Sequence, residues 1–310
     1  MKKLTKQKQK IKWRRYLPFY LMALPALIYI FINNYIPMAG IVIAFKNYKV
    51  TKGIFGSDWS GLKNFKFLFS SPDAFNITKN TLLYNLAFIV LGTLFAIIVA
   101  IFLNEVRSKV SRNIFQTLIL LPYLVSIIVV AYVVYGFLSP ATGYVNTHIL
   151  AAFGKDGISW YENGKYWPFI LVFVYIWKSV GYNSIIYVAT LAGFDPALYE
   201  AAAVDGATKT QQILRITIPC LKPTIITLTL MSVGRIFFSD FGLFYQVTMN
   251  SGSLIDATST IDTYVFRGLM ERGNIGMSAA AGFYQSLVGF ILILAANGIT
   301  RKISRDNALF

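Results

Sequence analysis

Apolar residues along this chain neither alternate nor recur in a narrow helical stripe; they run in long blocks. A helix needs roughly 20 apolar residues to cross a bilayer core. Six blocks meet that length, at 18–45, 80–104, 114–138, 166–193, 223–249 and 279–300. Each reads as a helix surrounded by lipid or by other helices rather than one with a wet face. The first block contains Pro25, Pro37, Asn33 and Asn34, which predict a kink or break near its outer end. The pattern predicts an all-α membrane protein: six transmembrane helices in one transmembrane domain, 18–310, after a basic tail, 1–17.

Composition strengthens this picture. The chain is 56% hydrophobic and only 14% charged, a balance expected of a multi-pass membrane protein rather than a soluble domain. A net charge of +16 would suggest nucleic acid in a soluble protein. Here the bilayer is the better explanation, because Lys and Arg collect at the cytoplasmic ends of spans. Residues 1–16 hold eight Lys/Arg and no acid. The apolar run behind them is too long for a signal-peptide core, so it reads as an uncleaved first span. With the N-terminus inside, the cytoplasmic segments hold 17 Lys/Arg and the external loops 10, leaving Lys178 and Arg235 inside spans. Both termini are then cytoplasmic. The aromatics of the loop 46–79, interleaved with Lys, suggest that it lies along the outer membrane interface.

Several chemistries are excluded. One cysteine (Cys220) and one histidine (His148) allow neither a disulfide framework nor an ordinary Cys/His metal site. No G-x-x-x-x-G-K-[ST] occurs, so the chain holds no P-loop of its own. No Ser/His/Asp set can be built around one histidine in an external loop, and the spans lack the paired Asp or His-rich motif of an intramembrane protease. These exclusions leave no reading as an enzyme and no cofactor or metal held by the chain itself.

Between the fourth and fifth spans lies GFDPALYEAAAVDGATKTQQILRITIPCLKPT, an Ala-rich polar stretch wedged between apolar blocks. Asp195 is suited to cap a helix that starts at Pro196. Gly206 is suited to stop that helix. Thr208 and Gln211 fit a capping box for a second helix, which Pro219 should end before Pro223 opens the next span. Two short helices about a sharp glycine turn would sit at the cytoplasmic face. Small residues on one face suit either a partner surface or a plain interfacial connector.

The spacing E-A-A-x-x-D-G-A, with a Pro following after twelve residues counted from the Gly, resembles the EAA loop of ABC-importer permeases. Glu200, Ala201, Ala202, Asp205, Gly206, Ala207 and Pro219 match it position by position. Further stretches are similar to the oligosaccharide and polysaccharide branch of sugar-importer permeases: YIPMAGIVIAFKNY (35–48), W-x-G-L-x-N-F (59–65), NTLLYN (80–85), LNE (103–105) and FQTLILLPYLVS (115–126). The resemblance implies the type I (MetI-like) permease fold, its core formed by the last five spans, in a bacterial plasma membrane. It implies a second homologous permease subunit, two ATPase subunits that bind ATP and Mg, an external sugar-binding lipoprotein and an oligosaccharide cargo. The loop would be the coupling helix that docks on the ATPase. Gly206 would give the turn, Ala201 and Ala202 the close contact, and Glu200 a polar contact or an orienting role. Cys220 departs from the pattern, where an aliphatic residue is usual.

Polar residues inside spans should face protein or water. In the fifth block Ser232, Arg235, Ser239, Gly242 and Gln246 recur every three or four residues, one stripe of a continuous helix. In the fourth, Ser179, Asn183, Tyr187 and Thr190 do the same, with Lys178 and Tyr182 beside them. These stripes could line a translocation path, with Trp177, Tyr182, Tyr187 and Tyr245 offering flat faces to sugar rings. Trp177, Tyr182, Asn183, Tyr187, Arg235, Ser239 and Gln246 are the candidate pathway residues. The same stripes would serve helix packing or contact with a second permease. Asp240 lies about 140° round an ideal helix from Arg235, so Lys178 is its expected ion-pair partner.

Two alternatives remain open. An ion-coupled secondary transporter or channel would work without an ATPase and use Asp240, Lys178 and Arg235 as a relay. An ABC importer of this type could also carry a solute other than sugar.

Overall fold

The computed structural model describes residues 13–303, so most of the basic tail, and residues 304–310, lie outside the described residues. Five helical stretches are long and apolar enough to cross a membrane: Tyr16–Phe45, Pro72–Glu105, Gly164–Ala192, Lys209–Val233 and Ile275–Lys302. A bent pair, Lys109–Leu124 and Ile127–Leu138, makes a sixth if it is counted as one span. In chain order we label α1 Trp13–Ile30, α2 Lys63–Ser70, α3 Pro72–Glu105, α4 Lys109–Leu124, α5 Ile127–Leu138, α6 Trp167–Ala192, α7 Pro196–Val204, α8 Lys209–Val233, α9 Ile261–Met270 and α10 Ile275–Ile303.

The first span is not broken at its prolines. Beyond α1 it continues through a π turn at Phe31–Tyr35, the short helix Ile36–Met38 and a 3₁₀ turn at Ala39–Phe45. Its apolar window is 0% buried within the chain, leaving its surface to lipid or another subunit. Only its end joins the bundle. There Asn64 Nδ2 donates to the carbonyls of Ala44 and Lys46, at 2.9 and 3.0 Å. A short hairpin follows, β1 (Lys46–Asn47) antiparallel to β2 (Asp58–Trp59). Beside it Lys52 holds the Asp58 carboxyl below the usual carboxylate range.

The centre of the bundle is α3 packed along α6. The α3 face is small: Gly92 lies 3.6 Å from the Tyr175 ring, and Ala96 and Ala100 are fully buried against Tyr187 and Leu191. Small residues let helices approach closely where lipid offers no hydrophobic drive for association. The helix α4 crosses α6 just as closely. A Cβ placed on Gly181 would overlap the Ile119 carbonyl, so only glycine fits there.

Three sequence expectations are corrected. The third block, 114–138, is not one straight helix: α4 and α5 meet at 92°. Pro122 lies in the last turn of α4, and Ser126 caps α5 through Val129 N–H. The fifth block, 223–249, is also broken. Its helix ends at Val233, and after a turn the chain resumes in a π turn at Leu243–Val247. The stripe from Ser232 to Gln246 therefore does not exist as one helical face. Conversely, Pro219 does not end the second loop helix. A π turn at Ile213–Thr217 widens the backbone just before Pro219, which has no N–H and would crowd an α-helical carbonyl, and α8 runs on through it.

Segment 250–278 is more than a surface loop. It carries α9, whose Ile261 and Tyr264 are buried with Leu68, Ile77 and Phe237. The stretch 80–85 anchors it: Asn80 Nδ2 donates to the carbonyls of Asp256 and Ser259, Tyr84 to that of Ala257, and Thr81 Oγ1 accepts from Ile261 N–H.

Candidate functional site

Two places carry chemistry that packing alone does not require. One is the helix–turn–helix between α6 and α8. Asp195 accepts from Ala197 N–H at 3.0 Å, with Pro196 opening α7. At the other end Ala207 N–H donates to Ala202 O and Gly206 N–H to Ala203 O. This is a Schellman cap, with Gly206 left-handed at φ +79. Thr208 and Gln211 complete a reciprocal capping box. Every local signal in these residues agrees, so the turn is fixed without help from elsewhere. It is also tied down at its base. Lys209 pairs with Glu105 at 3.2 Å, and Tyr199 OH meets Thr217 Oγ1 at 3.1 Å. The tip remains free: Glu200, Ala201, Asp205 and Gly206 are exposed and Ala202 and Ala207 half-buried. Val204 is 88% exposed, an apolar side chain that nothing in this chain covers.

The other place is a cavity of about 760 Å³ between α3, α6, α8 and the broken segment after Val233. Of the candidate pathway residues, Tyr182, Asn183, Tyr187, Arg235 and Ser239 line it together. Trp177 and Gln246 do not. Trp177 stands 140° from Tyr182 on an ideal helix, roughly the opposite side of α6. Gln246 lies in the π turn Leu243–Val247, beyond the end of α8, and so does not continue the face that carries Ser232. Thr190 is also outside, with its hydroxyl 3.4 Å from that of Thr224.

The wall carries flat rings and polar tips. Tyr123 stacks on Tyr182 with centroids 4.3 Å apart, and Phe88 on Tyr175 at 3.9 Å. Asn85, Thr93, Ser179 and Ser232 line the same cavity.

Lys178 and Asp240 do not form the expected ion pair. The Lys178 ammonium donates to the carbonyls of Pro122 and Tyr123, at 3.3 and 3.0 Å, and to that of Val125. It fills the backbone acceptors freed where α4 stops. Asp240 caps the next turn instead, accepting from Leu243 N–H at 3.1 Å. Both charges therefore serve breaks in the backbone, and the Asp240, Lys178 and Arg235 relay of an ion-coupled transporter is not assembled.

The break after Val233 has its own support, which sequence inspection missed. Asp262 accepts from Ser239 N–H at 2.8 Å, and its other oxygen lies 3.1 Å from Gln285 Nε2. The same Gln285 nitrogen donates to Phe237 O at 2.7 Å. Irregular backbone at membrane depth survives only when its polar groups are satisfied internally, and these two side chains satisfy them. Thr260, which caps α9 in a box with Thr263, was the available local sign that this segment folds in.

Residues 92–305 match the family described as binding-protein-dependent transport system inner membrane component, and the chain belongs to that family. It is a membrane permease subunit of an ABC importer and not an enzyme. It is 33% identical over 287 residues to the polygalacturonan/rhamnogalacturonan transport system permease protein YteP of Bacillus subtilis, covering 93% of this chain and 88% of that one. Protein LplB of the same organism is 35% identical over 288 residues, with 93% and 89% covered. Among solved structures, a bacterial ABC transporter importing the acidic polysaccharide alginate superposes with a TM-score of 0.85 at 34% identity, over 94% of this chain and 98% of that one. The family and this structural match replace the secondary-transporter alternative.

Proposed function

We propose that this chain forms one half of an ATP-driven pathway for oligosaccharides. A second, homologous permease supplies the other half. Two ATPase subunits hold ATP and Mg, and an external sugar-binding lipoprotein delivers cargo. The exposed turn at 200–207 carries this reading. It is capped at both ends, tied to α3 through Lys209–Glu105, continuous with α8, and open at its tip. A turn with those properties transmits a push from a bound partner directly into two spans. In this role Glu200 and Asp205 are polar contacts, Ala201, Ala202 and Ala207 allow close approach, and Gly206 sets the angle. The turn and both termini then face the cytoplasm.

The saccharide cargo is supported by the stacked tyrosines beside Asn183 and Ser239, because sugar rings have apolar faces rimmed by hydroxyls. It is supported also by the relatives, one named for polygalacturonan and rhamnogalacturonan transport and one solved with an alginate pentasaccharide-bound periplasmic protein. The test is uptake of labelled oligosaccharide by the whole importer in vesicles. Uptake is expected to require internal ATP and to survive ionophores that collapse ion gradients. Uptake driven by a gradient without ATP would overturn the proposal.

A further inference from the structure

Three charged side chains border the cavity, Lys178, Arg235 and Asp240. Lys178 spends its three N–H donors on carbonyls of Pro122, Tyr123 and Val125. Asp240 accepts from Leu243 N–H. The nearby carboxylate of Asp262 is taken by Ser239 and Gln285. Arg235 differs. Among the described residues no hydrogen bond or ion pair engages its guanidinium, and the residue is exposed and lines the cavity. An uncommitted arginine within an apolar block is costly, and such residues mark substrate paths.

We infer that Arg235 is a specificity-determining residue for acidic saccharides and receives the carboxylate of a uronic acid unit; this rests on the saccharide reading above. A guanidinium fork matches a carboxylate with two parallel hydrogen bonds. The Tyr123–Tyr182 pair borders the same cavity, so a pyranose ring can lie on an aromatic face while its carboxylate reaches the fork. One free fork suits a monoanionic carboxylate. A dianionic phosphate would call for a second cation, and Lys178 is already committed.

The test uses the assembled importer in detergent, without its binding protein. Equilibrium binding of trigalacturonate and of neutral galactotriose is measured for the wild type, Arg235→Gln and Arg235→Lys. Arg235→Gln is expected to weaken trigalacturonate binding about tenfold or more, the scale of a lost charge-assisted pair, and to leave galactotriose within about twofold. Arg235→Lys should recover part of the loss. Equal loss for both sugars, no loss for either, or unchanged selectivity in an Arg235→Lys importer when Arg235→Gln fails to assemble would overturn the inference and return Arg235 to subunit contact. A wild type that binds neither sugar, while its ATPase still runs, would overturn the saccharide reading itself and the inference with it.

Discussion

The ammonium of Lys178 lies 3.0 Å from the carbonyl oxygen of Tyr123, 55 residues earlier in the chain. That contact explains how a helix can turn through 92° inside an apolar block. Ending α4 frees backbone carbonyls that lipid cannot satisfy. A long cationic side chain from α6 reaches them and also lies 5.7 Å from the Tyr123 ring centre. The charge that a sequence reading would assign to transport chemistry serves here as a cap.

Lys178→Met is accordingly expected to destabilise the subunit rather than alter selectivity. It takes a charged donor from three part-buried or exposed carbonyls, of which that of Pro122 keeps the Val125 N–H, and a hydrogen bond to a charged group contributes about 1.5–3 kcal/mol. The thermal midpoint of the purified importer should fall, and Lys178→Arg should restore part of it. An unchanged midpoint in Lys178→Met would show that the carbonyls find other partners.

Gly181→Ala should damage packing between α4 and α6. Its new methyl would overlap the Ile119 carbonyl, backbone that cannot swing aside. Overpacking of this kind costs about 1–3 kcal/mol. The expected result is lower yield of folded subunit and a lower midpoint. By contrast Gly282→Ala, where nothing lies within 4 Å of the added carbon, should be silent in the same assay.

Gly206 supplies a different test, because no heavy atom would meet a Cβ there. Its constraints are the left-handed backbone and whatever docks on the tip. The left-handed conformation costs an ordinary residue about 1–2 kcal/mol, while asparagine visits it more readily. Gly206→Leu should abolish transport with membrane insertion intact. Gly206→Asn should retain more activity, measured as uptake normalised to the subunit in the membrane. Normal uptake by Gly206→Leu would remove the coupling role.

Gln285→Leu should loosen the break after Val233, since Phe237 O and Asp262 lose their shared donor. A loss of about 1–3 kcal/mol is expected from the unpaired groups. Cysteine accessibility at Ser239, probed with a small thiol reagent on a Ser239→Cys background, should rise. No change in labelling would place the support of that segment elsewhere.

The contrast between what could and could not be read from sequence follows from range. Asp195, Gly206 and the Thr208–Gln211 pair act within a few residues of themselves, so the first loop helix, its glycine turn and the start of the second helix were legible; the end of the second was not, because the π turn at Ile213–Thr217 carries it on through Pro219. The two broken blocks were not. Their apolar composition continues through each break, and the groups that make the breaks tolerable come from distant parts of the chain: Lys178 for Val125, Gln285 and Asp262 for 237–239. The stripe from Ser232 to Gln246 was thus drawn on a helix that ends at Val233, yet Arg235 and Ser239 still reach the cavity with Tyr182 and Asn183. The role of α9 was hidden because its anchors, Asn80, Thr81 and Tyr84, sit more than 170 residues away.

The most direct measurement is purification of the tagged chain from its native membranes in mild detergent, with co-purifying proteins identified by mass spectrometry. The account predicts a stable complex containing an ATPase and a second permease, with the ATPase lost or uncoupled in Gly206→Leu. Recovery of the chain alone, under conditions that preserve other membrane complexes, would contradict it.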